Sequence, residues 1–168
     1  LYDNLEVHSI SRLANYATKY QSLLLLPIIG VALLLSEYLF STIFGPDAIR
    51  SVSIFNILII STYLYSLATP FTIQMTATGN PQLGIKINIL TLAVNVILNI
   101  MLIPESVMGY RTIGLGVEGA AYSTLVALGV KFTLSLYTAN NLTNSKLYSR
   151  VWLHWIAFGI SFITLIFL

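Results

Sequence analysis

The fold is decided by residues 86–139, which read KINILTLAVNVILNIMLIPESVMGYRTIGLGVEGAAYSTLVALGVKFTLSLYTA. An apolar run from Ile87 to Ile103 ends at Pro104, and a second apolar run opens after the loop through Arg111. As a helix, each run is long enough to cross a hydrocarbon core of ~30 Å. The stretch therefore predicts a transmembrane hairpin.

The first arm of this hairpin carries a polar stripe. Asn88, Asn95 and Asn99 are spaced by seven and four residues, and Thr91 lies three after the first, so all four share one helical face. An unpaired amide in hydrocarbon costs several kcal/mol, so this face should look into protein or a wet cavity. Two interpretations stay open: hydrogen bonding between helices, or the lining of a path for a polar substrate.

The second arm has a surface of small residues. They recur every four positions on two ridges: Gly116, Ala120 and Thr124 on one, and Gly119, Ser123 and Ala127 on the other. Such ridges let another helix backbone come close, so we expect helix packing at Gly116, Gly119, Ala120 and Ser123. Lys131 continues the second ridge, which predicts an ammonium that points toward protein.

Composition places the chain in the membrane. Hydrophobic residues make up 57% and charged residues 8% of the 168 residues, against about 25% charged in soluble domains. The mean hydropathy is +0.84. The net charge is only +2 with scattered Lys and Arg, which argues against a nucleic-acid partner, and the absence of cysteine excludes disulfides and thiol chemistry. No residue spacing predicts a metal site or a cofactor.

These patterns predict an all-α, polytopic helical bundle with about five transmembrane helices. Residues 1–19 should form a loop and a short interfacial helix, and residues 20–168 the transmembrane domain. The predicted spans are 21–44, 52–78, 83–104, 116–139 and 151–168. The chain begins in a polar stretch and ends inside an apolar run, so we expect it to be part of a longer transporter.

Two prolines and one acid lie inside the first two spans. Pro27 and Pro70 each remove a backbone hydrogen bond, and we expect them to lie at similar depth, as a hinge or as two ordinary kinks. Glu37 follows Gly30 on a helical face with small residues, so it is a candidate for a substrate or ion path. Glu37 or Lys131 can equally be structural, the first bonded to a neighbouring helix and the second snorkelling to the interface.

Orientation follows from the positive-inside rule. One side of the membrane collects Arg12, Lys19, Lys86, Lys146 and Arg150, whereas the other collects Arg50 and Arg111. This distribution predicts an integral protein of the cell membrane with a cytoplasmic N-terminal segment. The glycosylation sequon at Asn141 would then be cytoplasmic too.

The asparagine stripe, Pro104 and the small residues from Gly116 to Thr124 together resemble the C-terminal part of polysaccharide-biosynthesis flippases. These are the Wzx-like branch of the multidrug/oligosaccharidyl-lipid/polysaccharide exporter superfamily. Phe44-Gly45 and the turn at Gly79-Asn80 agree with that resemblance, whereas the loop of residues 105–115 is longer than in many relatives. The resemblance implies a two-lobe transporter of roughly twelve to fourteen helices, of which this chain is a partial lobe.

The resemblance implies a flippase that moves lipid-linked oligosaccharide between leaflets by alternating access. Its partners would be the lipid-linked substrate, membrane lipids, the missing N-terminal lobe and a coupling ion. Substrate-path candidates are Lys131, Glu37, Asn88, Asn95 and Asn99. One alternative is a cation-coupled multidrug or metabolite antiporter, which needs intramembrane carboxylates. A second alternative, a membrane-embedded enzyme of polysaccharide assembly, lacks any catalytic motif here, so we predict that the chain is not an enzyme.

Overall fold

A computed structural model describes the backbone of residues 2–143 and the side chains of residues 8–143. Within residues 2–143 there are four long helices, with a short 3-10 helix and a small β-hairpin between them: α1 (Tyr2–Phe44), the 3-10 helix Pro46–Ser51, α2 (Val52–Ala77), α3 (Pro81–Leu102), β1 (Ser106–Val107), β2 (Tyr110–Arg111) and α4 (Val117–Thr143). All four long helices have the length and apolarity to cross a membrane. An all-α membrane bundle is therefore confirmed. The predicted span 151–168 lies outside the described residues.

The first helix is longer than predicted. α1 has 43 residues and would extend ~64 Å, about twice the hydrocarbon thickness. The prediction of a loop and a separate interfacial helix in residues 1–19 is wrong for the described part, because residues 2–19 are the first turns of α1. No Gly or Pro precedes Pro27 to break the helix. Ser11, Ala14 and Thr18 also give these turns a buried face.

Helices α1 and α2 pack antiparallel. Leu26 and Ile29 of α1 form a buried cluster with Tyr63 and Leu67 of α2. Phe40 of α1 meets Phe55 of α2 at the other end, with ring centroids 5.2 Å apart. Later residues of α1 thus contact earlier residues of α2. The two helices are antiparallel, as the short connection through the 3-10 helix requires.

Helix α4 packs parallel to α2 and is longer than the predicted 116–139. The amide nitrogen of the Gln74 side chain donates to the carbonyl oxygen of Ala139 at 3.4 Å and to Oγ1 of Thr143 at 3.1 Å. Ala139 and Thr143 are both buried. The described part of α4 reaches Thr143, so Asn141 of the sequon lies in this helix rather than in a loop.

Helices α3 and α4 form the predicted hairpin, with bounds that differ by a few residues. Helix α3 starts at Pro81 rather than residue 83, and it ends at Leu102, two residues before Pro104. Backbone N–H groups of the connection then donate to the last carbonyl groups of α3: Leu115 to Leu102 at 2.7 Å and Gly116 to Ile103 at 3.0 Å. The connection therefore caps the C-terminus of α3 and fixes where α4 begins.

Candidate functional site

The ammonium of Lys131 lies over the aromatic ring of Tyr65. The distance from Nζ to the ring centroid is 4.4 Å, within the range of a cation–π interaction. Lys131 lies fourteen residues into the 27-residue α4, and Tyr65 lies thirteen residues into the 26-residue α2. The charge is thus held near the midpoint of two candidate membrane spans. This contact turns the ammonium toward α2, and snorkelling of Lys131 to the interface stays an alternative prediction.

The asparagine stripe has two different parts. The side-chain amide of Asn99 donates to Oδ1 of Asn95 at 3.0 Å, and that of Asn95 donates to Oγ1 of Thr124 at 3.4 Å. The hydroxyl of Ser123 donates to Oδ1 of Asn99. Asn95 and Asn99 therefore join α3 to α4, as the interhelical interpretation of the stripe predicts.

Asn88 lies on the same face of α3 but is exposed. The contacts Asn95–Thr124 and Asn99–Ser123 fix the antiparallel register of α3 and α4. Asn88 lies two turns before Asn95 on α3, and Lys131 lies two turns after Thr124 on α4. The antiparallel register therefore places Asn88 level with Lys131. We call this level of the bundle the mid-helix patch: it comprises Lys131 and Tyr65, which are in contact, and Asn88, which shares their level on α3.

The chemistry of the mid-helix patch suits an anionic, hydroxylated ligand. Lys131 is half-buried, whereas Asn88 is exposed and the Tyr65 side chain is 49% exposed. An ammonium donates to phosphate oxygens as a point charge, and an amide both donates to and accepts from hydroxyl groups. The mid-helix patch therefore contains one cation and two neutral polar groups near the middle of the candidate spans, where burying such groups in hydrocarbon is unfavourable.

The four predicted packing residues behave differently. A Cβ built at Gly119 would lie 2.7 Å from the carbonyl oxygen of Leu102, so only glycine permits this approach of α4 to α3. Ser123 is buried, and the carbonyl oxygen of Ala120 accepts from the hydroxyl of Ser123 at 2.9 Å. Gly116 precedes α4 and has φ +56, and no atom of the described residues lies within 4 Å of its Cβ position. Among the described residues, Gly116 therefore serves a left-handed turn rather than helix packing.

Glu37 lies away from the mid-helix patch. It is exposed on α1, seven residues or ~11 Å before the end of that helix at Phe44. The antiparallel register with α2, set by the Phe40–Phe55 contact, places Glu37 near the start of α2. Glu37 and Lys131 are therefore separated in depth, as their spacing in the sequence predicts, and independent roles for the two charges stay a prediction.

The two prolines lie within about two helical turns of each other in depth. Pro27 sits between Leu26 and Ile29 of the first buried cluster, and Pro70 lies three residues beyond Leu67 of the same cluster. Pro27 is exposed, whereas Pro70 is buried. The hinge role of both prolines stays a prediction.

Sequence reasoning missed three polar side chains that organise the bundle. Tyr65 holds the Lys131 ammonium, Gln74 joins α2 to α4, and Tyr63 makes a buried 2.8 Å hydrogen bond to Ser22 of α1. Gln74 could have been found, since it and Asn56 are the two amide side chains in a span that is otherwise apolar or hydroxylated. The tyrosines gave no such signal, because tyrosine is common in membrane helices for its apolar ring.

Comparison with protein-family models, with curated proteins and with solved structures returns no match for this chain. Within residues 2–143, no group of three or more His, Asp or Glu side chains is placed to hold a metal ion. Any functional assignment therefore depends on the geometry of the mid-helix patch.

Proposed function

We propose that this chain is part of a transporter that moves lipid-linked oligosaccharide across the membrane by alternating access. The observation that carries the proposal is the ammonium of Lys131, held over Tyr65 at the midpoint of two candidate spans. In the proposal, Lys131 attracts the phosphate of the substrate. Asn88 contacts its sugar hydroxyl groups.

The free energies of membrane insertion and of the cation–π interaction favour a ligand at Lys131 over a purely structural role. A lysine at the centre of a membrane helix costs about 2.5–3.5 kcal/mol on insertion scales. A cation–π interaction returns about 0.5–1 kcal/mol at an exposed site and about 2 kcal/mol when desolvated. Because Tyr65 is 49% exposed, its contribution falls between these values and leaves part of the cost uncompensated. An anionic headgroup beside the ammonium would compensate the rest of the insertion cost.

The substrate path is narrower than the asparagine stripe suggests. Asn95 and Asn99 use their amides to bind each other and α4, so they fix the hairpin rather than line the path. Lys131 and Asn88 are the path residues in this proposal. The second lobe of the transporter would then close over the mid-helix patch and complete the cavity.

A cation-coupled antiporter of drugs or metabolites is the second candidate. It is favoured by Glu37, a carboxylate exposed on an apolar helix ~11 Å from its end. In that function Glu37 would bind the coupling cation and Lys131 would be structural. The two functions differ in which of these charges transport requires.

The experiment is a transport assay with the full-length protein in proteoliposomes, using a fluorescent isoprenoid-pyrophosphate oligosaccharide. A hydrogen bond to a charged partner contributes about 1.5–3 kcal/mol, so Lys131→Met should lower the rate by roughly tenfold to a hundredfold. Lys131→Arg keeps the charge and should retain part of the rate. Lys86→Met, which removes an exposed lysine of α3, is the matched control and should transport normally.

Two results would contradict the proposal. Normal transport by a well-inserted Lys131→Met protein would remove the phosphate role. Loss of transport in Glu37→Gln, with Lys131→Met unaffected, would favour the cation-coupled antiporter.

A further inference from the structure

The connection between α3 and α4 folds into a β-hairpin. Ser106 pairs with Arg111 and Val107 pairs with Tyr110, and the turn residues Met108 and Gly109 both have positive φ. Positive φ at both central residues is what a two-residue type I′ turn requires. This hairpin was not predicted, because Met-Gly lacks the Asn or Asp that usually marks such a turn.

The hairpin is held rigidly at the end of two candidate spans. Backbone N–H groups of Thr112 and Ile113 donate to the carbonyl oxygens of Glu105 at 3.0 Å and Met101 at 3.2 Å. Helix α3 has 22 residues, or ~33 Å, which barely exceeds the hydrocarbon thickness of ~30 Å. A membrane-spanning α3 of this length would place the hairpin that caps it at the level of the lipid headgroups.

The hairpin is amphipathic. Residues paired across two strands share a face, so Val107 and Tyr110 lie on one face and Ser106 and Arg111 on the other. The Met108 side chain at the tip is 96% exposed, and that of Tyr110 is 79% exposed. Exposure of these large, mostly apolar side chains would be unfavourable in a loop surrounded by water.

Met108 is also an unfavourable choice for its backbone. Its φ of 50 lies in the left-handed region, where bulky side chains are rare and Asn or Gly is favoured. A residue that opposes its own turn geometry points to a role for the side chain itself.

We propose that the hairpin Ser106–Arg111 inserts into the membrane interface beside the ends of α3 and α4. Met108 and Tyr110 contact the upper acyl chains, as interfacial aromatic side chains do. Arg111, exposed on the opposite face, binds lipid phosphate, which complements its charge. The ligand is the surrounding phospholipid leaflet, and this anchoring does not depend on the proposed transport function.

The test uses the full chain in lipid nanodiscs. Because the sequence contains no cysteine, Met108→Cys gives a single site for an environment-sensitive dye, and Ser106→Cys gives the matched site on the polar face. We expect the dye at residue 108 to be quenched by phospholipids brominated near the headgroup and protected severalfold from aqueous iodide relative to residue 106. Equal iodide quenching at both sites would place the tip in water. Shielding of residue 108 from both quenchers would mean that protein covers it, and either result overturns the proposal.

A second pair of variants separates lipid contact from hairpin folding. With the dye at Val107→Cys, Met108→Leu should preserve quenching by brominated lipid, and Met108→Asn should reduce it severalfold. Asparagine is favoured over methionine in a left-handed turn, so Met108→Asn should keep the hairpin folded. If unfolding of the hairpin controlled the quenching, Met108→Asn would lose less quenching than Met108→Leu. Equal quenching in both variants would contradict anchoring through the tip.

Discussion

The close approach of α4 to the backbone of α3 at Gly119 makes Gly119→Ala a sharp test of the α3–α4 packing. The added Cβ would lie 2.7 Å from the carbonyl oxygen and 2.8 Å from the carbonyl carbon of Leu102, whereas ordinary contact begins at 3.4 Å. These are backbone atoms and cannot rotate away, so the helices must separate. Overpacking of this kind typically costs 1–3 kcal/mol.

Gly129→Ala is the matched control on the same helix. Among the described residues, a Cβ at Gly129 meets only Cδ1 of Leu64, at 3.9 Å, which is ordinary van der Waals contact. Both substitutions gain helix propensity, at most about 1 kcal/mol, so this contribution largely cancels when the two variants are compared. We expect Gly119→Ala to be about 1–3 kcal/mol less stable than Gly129→Ala.

The assay is reversible unfolding in mixed detergent micelles, followed by circular dichroism, with the free energy of unfolding compared between the two variants. Separation of the helices would also weaken the bond between Ser123 and Asn99, which lies one turn further along α4. If Gly119→Ala is as stable as Gly129→Ala, α4 does not approach α3 at this residue, and the packing described here is wrong.

Two further predictions concern the asparagine stripe and the prolines. Asn99→Ala should lower the free energy of unfolding by about 1 kcal/mol, because it removes an interhelical hydrogen bond, whereas Asn88→Ala at an exposed site should stay within about 0.5 kcal/mol of wild type in the same unfolding assay. Equal effects would contradict the division of the stripe. Replacing both Pro27 and Pro70 by alanine should leave insertion intact and slow transport in proteoliposomes, since straightened helices resist the change between access states; an unchanged rate would leave both prolines as ordinary kinks.

The sequence predicted the coarse fold because hydrocarbon imposes simple rules. An apolar run of membrane length has to be helical, so the four described spans could be found from apolarity and from breakers such as Gly79 and Pro104. The bounds were less predictable. Helix α4 continues past residue 139 to Thr143, where the Gln74 side chain of α2 contacts it, and a contact between residues so far apart in the sequence leaves no periodic pattern.

Part of the candidate site was also predictable. The spacing of Asn95 and Asn99 correctly indicated a face turned toward protein, and the position of Lys131 on a small-residue ridge indicated a charge kept near other helices. The partner of Lys131 was not predictable, because the contact with Tyr65 depends on the parallel register of α2 and α4. The β-hairpin was missed for a local reason, since Met108 at its turn contradicts the usual turn chemistry.

The most direct test of the central claim is to map where the substrate headgroup touches the protein. The full-length protein in nanodiscs would be irradiated with an isoprenoid-pyrophosphate oligosaccharide that carries a photoreactive group beside the phosphate, and the cross-linked peptides would be identified by mass spectrometry. The account predicts cross-links within one turn of Lys131 on α4 and near Asn88 on α3, lost in Lys131→Met and kept in Lys86→Met. Cross-links confined to other parts of the chain, or unchanged in Lys131→Met, would contradict it.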